Sequence, residues 1–283
     1  MQIITLENID KVLIHQVIND SFADYIEPFS LTLEQLEFKI HAEQVDLSLS
    51  VGVQDNGRLV AFILHGIQSE NSHLLAYNGG TGVIPEYRKQ GLVQKMYAFL
   101  EPVFQQRKVK RIILEVIEEN IAAIRSYQRL GFTISRRFNC YDGILRQDIR
   151  SSETFDIRPL SLIKWAEVKP FWDITPAYQC SESLIEQVLD EVNSLGLYVE
   201  DKLVGYIVFN QLRHRIYQLA VDPNYRNKGY GKALIGEVAQ VFNGDEISIN
   251  NVDERSIELN ALLKSFGLVD TVVQLEMERV CHL

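Results

Sequence analysis

Val83-Ile84-Pro85-Glu86-Tyr87-Arg88-Lys89-Gln90-Gly91-Leu92-Val93 returns 138 residues later as Val221-Asp222-Pro223-Asn224-Tyr225-Arg226-Asn227-Lys228-Gly229-Tyr230-Gly231. A repeat of this kind decides the fold before any element is assigned. Upstream, Asp55-Asn56-Gly57-Arg58-Leu59-Val60-Ala61-Phe62-Ile63-Leu64 has its counterpart in Glu200-Asp201-Lys202-Leu203-Val204-Gly205-Tyr206-Ile207-Val208-Phe209, each a polar turn opening into an apolar strand. Downstream, Leu130-Gly131-Phe132 corresponds to Phe266-Gly267-Leu268. Three landmarks in the same order at nearly the same spacing predict two similar domains in tandem, over 1–150 and 151–283. The seam falls between Gln147 and Thr154, where a polar stretch precedes the alternating Phe155-Asp156-Ile157-Arg158-Pro159-Leu160. Within each copy the coarse order is strand, helices, strands, glycine-bearing turn, helix, strand, helix and terminal strands, a mixed α/β layout.

The chain has 283 residues, the size of two ordinary domains, and a hydrophobic share of 46% that excludes disorder, collagen and coiled-coil composition. A formal net charge of -10 disfavours nucleic acid and anionic lipid as partners. Cys140, Cys180 and Cys281 are too scattered for a disulfide framework or a zinc site, so no metal is expected and a reducing cytoplasm fits. The N-terminal sequence has no signal-peptide pattern, and no apolar run reaches the length of a membrane span.

After the strand ending at Val83, the turn Arg88-Lys89-Gln90-Gly91 leads through Leu92 into Val93, Met96, Tyr97, Leu100, Val103 and Phe104, which recur at helical spacing. The second turn, Arg226-Asn227-Lys228-Gly229, leads through Tyr230, Gly231 and Lys232 into Ala233, Leu234, Val238, Val241 and Phe242. Glycine allows close backbone approach, and the first amides of a helix lack intrahelical acceptors at the positive end of the macrodipole. Strand, basic glycine turn and helix together make a phosphate site. Gly79-Gly80-Thr81-Gly82 is not a dinucleotide fingerprint, because Pro85 and the Arg88 turn intervene before the helix, and no Walker pattern occurs.

In Arg88-x-x-Gly91-x-Val93 and Arg226-x-x-Gly229-x-Gly231 the chain resembles the GNAT family, the Gcn5-related N-acetyltransferases. Leu114-Glu115-Val116 followed by Asn120, Ala123, Tyr127 and Leu130-Gly131-Phe132 is similar to the family's strand-plus-helix motif. The second loop matches fully, whereas Val93 departs from the small residue expected last in the first loop. The resemblance implies two tandem acyl-CoA N-acyltransferase domains and acetyl transfer from acetyl-CoA to a primary amine of a small molecule or peptide. It also implies that the turn amides hold the pyrophosphate and that the strands ending at Val83 and Val221 hold the pantetheine arm. Tyr127 matches the family's tyrosine acid and Asn120 its asparagine beside the coenzyme. Read from the residues alone, Tyr127 is equally a core aromatic on the face of Ile124 and Leu130, and Asn120 a plain helix cap.

At the corresponding places of the second copy stand Leu263 and Ser256, and leucine cannot protonate a thiolate. The N-terminal domain is therefore read as catalytic and the C-terminal one as binding acyl-CoA or supporting the cleft. The reverse stays open, since the better loop lies in the second copy. Glu115, Glu118 and Glu119 are the carboxylates nearest the Asn120 motif and the candidates for a base, each equally a surface residue. Phe22, Tyr25 and Phe29 lie where the family shapes its acceptor pocket, or pack a helix on the sheet. His15, His41, His65, His73, His214 and His282 form no metal or triad pattern. The alternative from another class is a non-catalytic acyl-CoA-binding sensor or scaffold. A homo-oligomer is left open.

Overall fold

The computed structural model describes residues 1–25, 29–70, 73–148 and 154–281. The packing divides the chain into two compact units, Met1–Arg136 with Leu275–Leu283, and Arg137–Gln274. The expected seam at 150/151 lies outside the described residues.

The first unit runs β1 (Gln2–Thr5), α1 (Lys11–Phe22), α2 (Leu33–Ala42), β2 (Val51–Asp55), β3 (Arg58–Glu70), β4 (His73–Val83), α3 (Leu92–Gln106), β5 (Val109–Ile117) and α4 (Ile121–Arg129). β6 (Thr133–Ile144) starts in this unit and β12 (Val269–Val280) ends in it. The second unit carries the rest of both strands together with β7 (Asp156–Pro159), the short helices α5 (Trp165–Val168) and α6 (Glu182–Gln187), β8 (Asn193–Val199), β9 (Lys202–Asn210), β10 (Arg215–Val221), α7 (Tyr230–Phe242), β11 (Glu246–Asp253) and α8 (Ile257–Ser265). Each unit is mixed: β1 to β4 are antiparallel neighbours and β5 joins β4 in parallel, while β7 to β10 are antiparallel and β11 joins β10 in parallel.

Local chemistry explains the shared plan. The hairpin between β2 and β3 turns on Asn56 and Gly57 at φ 48° and 81°, and that between β8 and β9 on Glu200 and Asp201 at 49° and 62°. Such paired left-handed residues match the twist of the strands they join. α3 buries Leu92, Met96, Tyr97, Leu100 and Phe104, and α7 buries Ala233, Leu234, Ile235, Val238, Ala239 and Phe242. Each of the larger of these side chains, fully withdrawn from water, contributes roughly 1.5–3 kcal/mol. Val241, expected on the buried face of α7, is exposed, because its neighbours already fill the stripe that faces the sheet.

Both units break the antiparallel ladder at the same place. The β3–β4 register slips between Leu64↔Gly80 and His65↔Asn78, leaving Gly79 as a bulge, and the β9–β10 register slips between Phe209↔Ile216 and Val208↔Gln218, leaving Tyr217. A bulge adds local twist and turns the strand end aside. Beyond it α1 lies directly on β4. A Cβ at Gly82 would fall 2.6 Å from the Ser21 Cβ and collide with the Phe62 ring. Gly82→Ala is therefore expected to lower stability by about 1–3 kcal/mol, read as a shift in denaturant midpoint at unchanged m-value.

Candidate functional site

In each unit the parallel pair parts before its strands end. β4 and β5 pair from Leu74↔Val109 to Asn78↔Leu114, yet β4 continues to Val83 and β5 to Ile117. β10 and β11 pair only at Arg215↔Ser248 and continue to Val221 and Asp253. The amides and carbonyls of the diverging segments lose one another as partners and face a slot, and buried backbone groups require replacements.

The glycine turn closes one end of that slot. Gly91 caps α3 at φ 69° and Gly229 caps α7 at φ 81°, neither with a side-chain cap. Two residues earlier, Lys89 and Asn227 are also left-handed, at 62° and 61°. The first bonds reaching back to the turn are Lys95 N–H to the Gly91 carbonyl at 3.1 Å and Ala233 N–H to the Gly229 carbonyl at 2.9 Å. The amides before them have no acceptor inside the helix.

The arginine of each turn is held by its own chain. Arg88 grips both Asp24 carboxylate oxygens at 2.7 and 2.6 Å and reaches the carbonyls of Val83 at 3.0 Å and Ser21 at 3.1 Å. Arg226 likewise binds Asp173 at 2.6 Å and the carbonyls of Val221 at 3.0 Å and Phe171 at 2.8 Å. Each guanidinium braces the turn against the strand end and the preceding loop, and the hydrogen bonds from Arg88 hold the Asp24 carboxyl below its usual range. Around the first turn, Lys89 is exposed, Gln90 reaches toward the Glu86 carbonyl, and Val93 packs on the core. In the second, Lys228 lies over the Tyr225 ring, Tyr230 packs edge-on against Phe155, and Gly231 has Leu262 only 3.1 Å from where a Cβ would stand.

At the other end of the first slot the structure gathers a polar cluster. Asn78 Nδ2 donates to the Thr81 hydroxyl at 2.8 Å and to the Tyr97 hydroxyl at 2.9 Å. The Tyr127 phenol joins it: burial pushes its pKa up to about 12, against hydrogen bonds from Thr81 and Asn78. It is a neutral acid at any physiological pH. Asn120 caps α4, accepting from Ala123 N–H at 3.0 Å, and its Nδ2 donates to the Tyr25 hydroxyl at 3.0 Å. Losing both bonds in Asn120→Ala is expected to cost about 1–2 kcal/mol of stability, measured as a fall in Tm.

Glu115 sits one residue beyond Leu114, where β4 and β5 part. Its Oε1 is buried with no hydrogen-bond partner among the described residues. Burial pushes its pKa up to about 8, opposed by a hydrogen bond from Tyr77 and reinforced by the Glu276 and Glu43 carboxylates. Glu119, by contrast, is exposed. Glu43, itself buried and ion-paired with Lys39, lies against Gly79 at the bulge, where it would collide with any Cβ. Asn78, Thr81, Tyr97 and Glu43 have no sequence signal, since they meet only through the bulge and the packing of α2 and α3.

The histidines stay outside this chemistry. His65 is fully buried, bonded to the Leu49 carbonyl, and held neutral by burial with a pKa of about 4. His282 lies outside the described residues. Among the described residues no group of three or more His, Cys, Asp or Glu could hold a metal, and no helix is long and apolar enough to cross a membrane.

The second unit has a cavity of about 440 Å³ running from Arg226, Gly229, Gly231 and Lys232 into the space between β10 and β11. Every residue lining it belongs to that unit.

Two mixed sheets, each with a bulged strand, a splayed parallel pair and an amide-lined turn, define an acyltransferase-type fold in duplicate. The sequence model of the acetyltransferase (GNAT) family matches residues 14–132 and 160–262, and the chain belongs to that family. It is 32% identical over 113 residues to the spermine/spermidine N(1)-acetyltransferase of Bacillus subtilis, covering 38% of this chain and 70% of that one. It is 30% identical over 100 residues to the ribosomal protein bS18-alanine N-acetyltransferase of Escherichia coli, covering 34% of this chain and 65% of that one. A tandem GNAT protein from the clavulanic acid biosynthesis pathway superposes with a TM-score of 0.70 at 12% identity, covering 100% of this chain and 99% of its own. A GCN5-related N-acetyltransferase from Sphaerobacter thermophilus does so with 0.72 at 17%, covering 96% and 92%. At these identities the two structures speak for the fold alone.

Proposed function

We propose that the protein is an N-acetyltransferase whose first domain transfers an acetyl group from acetyl-CoA to a primary amine of a small molecule or peptide. The observation that carries this reading is the buried Tyr127 phenol, hydrogen-bonded to Asn78 and Thr81 where the β4–β5 pairing ends, with the raised-pKa Glu115 carboxyl one residue beyond the last pair on β5. The amide-lined turn fits a diphosphate, and the open edges of β4 and β5 fit an amide-bearing arm. Bound acetyl-CoA would supply the thioester carbonyl.

The chain's own residues would then act as follows. The amides at Lys89, Gln90, Gly91, Leu92 and Val93 hold the diphosphate, with Arg88 bracing them and Val83 ending the strand beside the arm. Glu115, ionised above its pKa of about 8, accepts the proton of the incoming ammonium. Tyr127 donates its proton to the departing thiolate. Asn120 positions Tyr127 by fixing the start of α4. The named activities of the relatives, on spermine and spermidine and on a ribosomal protein alanine, support an amine acceptor. The net charge of -10 supports the absence of a nucleic-acid partner, and the three scattered cysteines fit a reducing cytoplasm.

The second domain favours a different role. By the repeat, Leu263 takes the place of Tyr127, and Asn250 and Asn251 stand where Glu115 does, so neither proton position can titrate. With its turn residues Arg226, Asn227, Lys228, Gly229, Tyr230, Gly231 and Lys232 and the strand end Val221, this unit is read as binding acyl-CoA without transfer. A thiol-release assay over a panel of amines tests the whole reading. Turnover with at least one amine is expected, and it should survive Gly229→Glu. Coenzyme binding with no turnover for any amine would replace the enzyme with the acyl-CoA-binding module.

A further inference from the structure

The two slots differ in what lines their closed ends. In the first, Asn78, Thr81, Tyr97 and Tyr127 form the polar cluster. The register at the bulge and the caps of the helices fix their counterparts as Ile216, Leu219, Ile235 and Leu263. All four line the cavity of the second unit, and Ile216, Ile235 and Leu263 are buried. Each of the four polar side chains of the first cluster is thus replaced by an aliphatic one. The slot also opens earlier: pairing ends at Arg215↔Ser248, the counterpart of Tyr77↔Ile113, whereas in the first unit it runs one pair further to Asn78↔Leu114.

We infer that the cavity of the second unit is a receptor for coenzyme A thioesters of aliphatic acyl groups longer than acetyl. The inference rests on the reading of this unit as a coenzyme-binding domain, and adds the class of acyl chain. One cavity joins a mouth with the Gly229 turn and Lys232 to an interior where Ile216, Leu219, Ile235, Leu262 and Leu263 form an aliphatic wall. An acetyl group would leave that interior unfilled, and an apolar void lined by aliphatic side chains forfeits contact energy. Three of the polar side chains lining it satisfy one another: Trp172 Nε1 donates to the Tyr206 hydroxyl at 2.6 Å, the hydroxyl donates to Gln218 Oε1 at 2.6 Å, and Gln218 Nε2 donates to the Cys180 carbonyl, while Asn250, Asn251, Asp253 and Ser256 also line the cavity. The site binds and does not transfer, since neither Leu263 nor the adjacent asparagines exchange a proton.

Calorimetric titration of the full chain with CoA, acetyl-CoA, hexanoyl-CoA and octanoyl-CoA tests this. One class of site should tighten with chain length, by roughly fourfold per methylene if fully buried. Gly229→Glu should remove that class, and Leu219→Thr, at a partly exposed position, should flatten its chain-length dependence. Binding of all four probes at a Gly229-dependent site with equal affinity would overturn the acyl-chain inference and leave the coenzyme reading standing. No Gly229-dependent binding of any probe would overturn both.

Discussion

Tyr127→Phe and Glu115→Gln are each expected to lower kcat/KM by about 10²- to 10⁴-fold, the range typical of a lost proton-transfer group, with little change in coenzyme affinity. The double variant should lose little more than the worse single one, because the two groups serve one reaction. The wild-type rate should rise with pH through about 8, where Glu115 ionises, and Glu115→Gln should flatten that limb. Stability supplies an independent reading. The folded-state pKa of Glu115 lies near 8 against an ordinary value of 4.5, so the folded protein holds this proton more tightly than the unfolded chain. Its contribution is complete below about pH 4.5 and is lost as pH rises toward 8. Glu115→Gln should therefore raise Tm, most above pH 8, while lowering activity. A variant that lost activity and Tm together would mark Glu115 as structural. Steady-state kinetics and thermal melts across pH 5 to 9 check both.

Gly91→Glu should weaken coenzyme binding to the first domain by about 10²-fold and leave the second untouched, with Gly229→Glu doing the converse. Two effects add. The glycines hold φ of 69° and 81°, where any side chain is strained by roughly 1–2 kcal/mol. A carboxylate at the mouth of the amide concavity also occupies the place of a phosphate and repels the next one. Gly91→Ala separates the two effects, since the space beside Gly91 is open apart from Gln94 Oε1 at 3.7 Å: it carries the strain without the charge and should cost about tenfold. Calorimetry at two ionic strengths checks the sign, the charged variant alone recovering affinity as salt rises. Equal affinity in all variants would mean that the turns hold no anion.

The repeat, the two helices starting at Gly91 and Gly229, the hairpins at Asn56-Gly57 and Glu200-Asp201, and the candidate acid Tyr127 were legible in the sequence. Each is a local signal: a dihedral preference, a periodicity or a spacing inside one element. Two kinds of feature were not legible. The basic residues of the turns read as phosphate ligands, but Arg88 and Arg226 are spent on Asp24 and Asp173, partners that come from residues 64 and 53 positions away. Among three neighbouring carboxylates, the spacing gave no reason to single out Glu115. Its distinction is burial beside Tyr77, Glu43 and Glu276, which three separate segments supply.

The order of elements in each half, the glycines whose φ only they tolerate well, and membership of a duplicated acyltransferase fold follow from the chain alone, because they depend on residues adjacent in sequence or repeated at a fixed interval. The depth of each slot, the shifted pKa of Glu115 and the exchange of a polar cluster for Ile216, Leu219, Ile235 and Leu263 were decided by tertiary structure. Desolvation and hydrogen-bond satisfaction depend on which distant side chains enclose a group, and the bulges at Gly79 and Tyr217 set that enclosure.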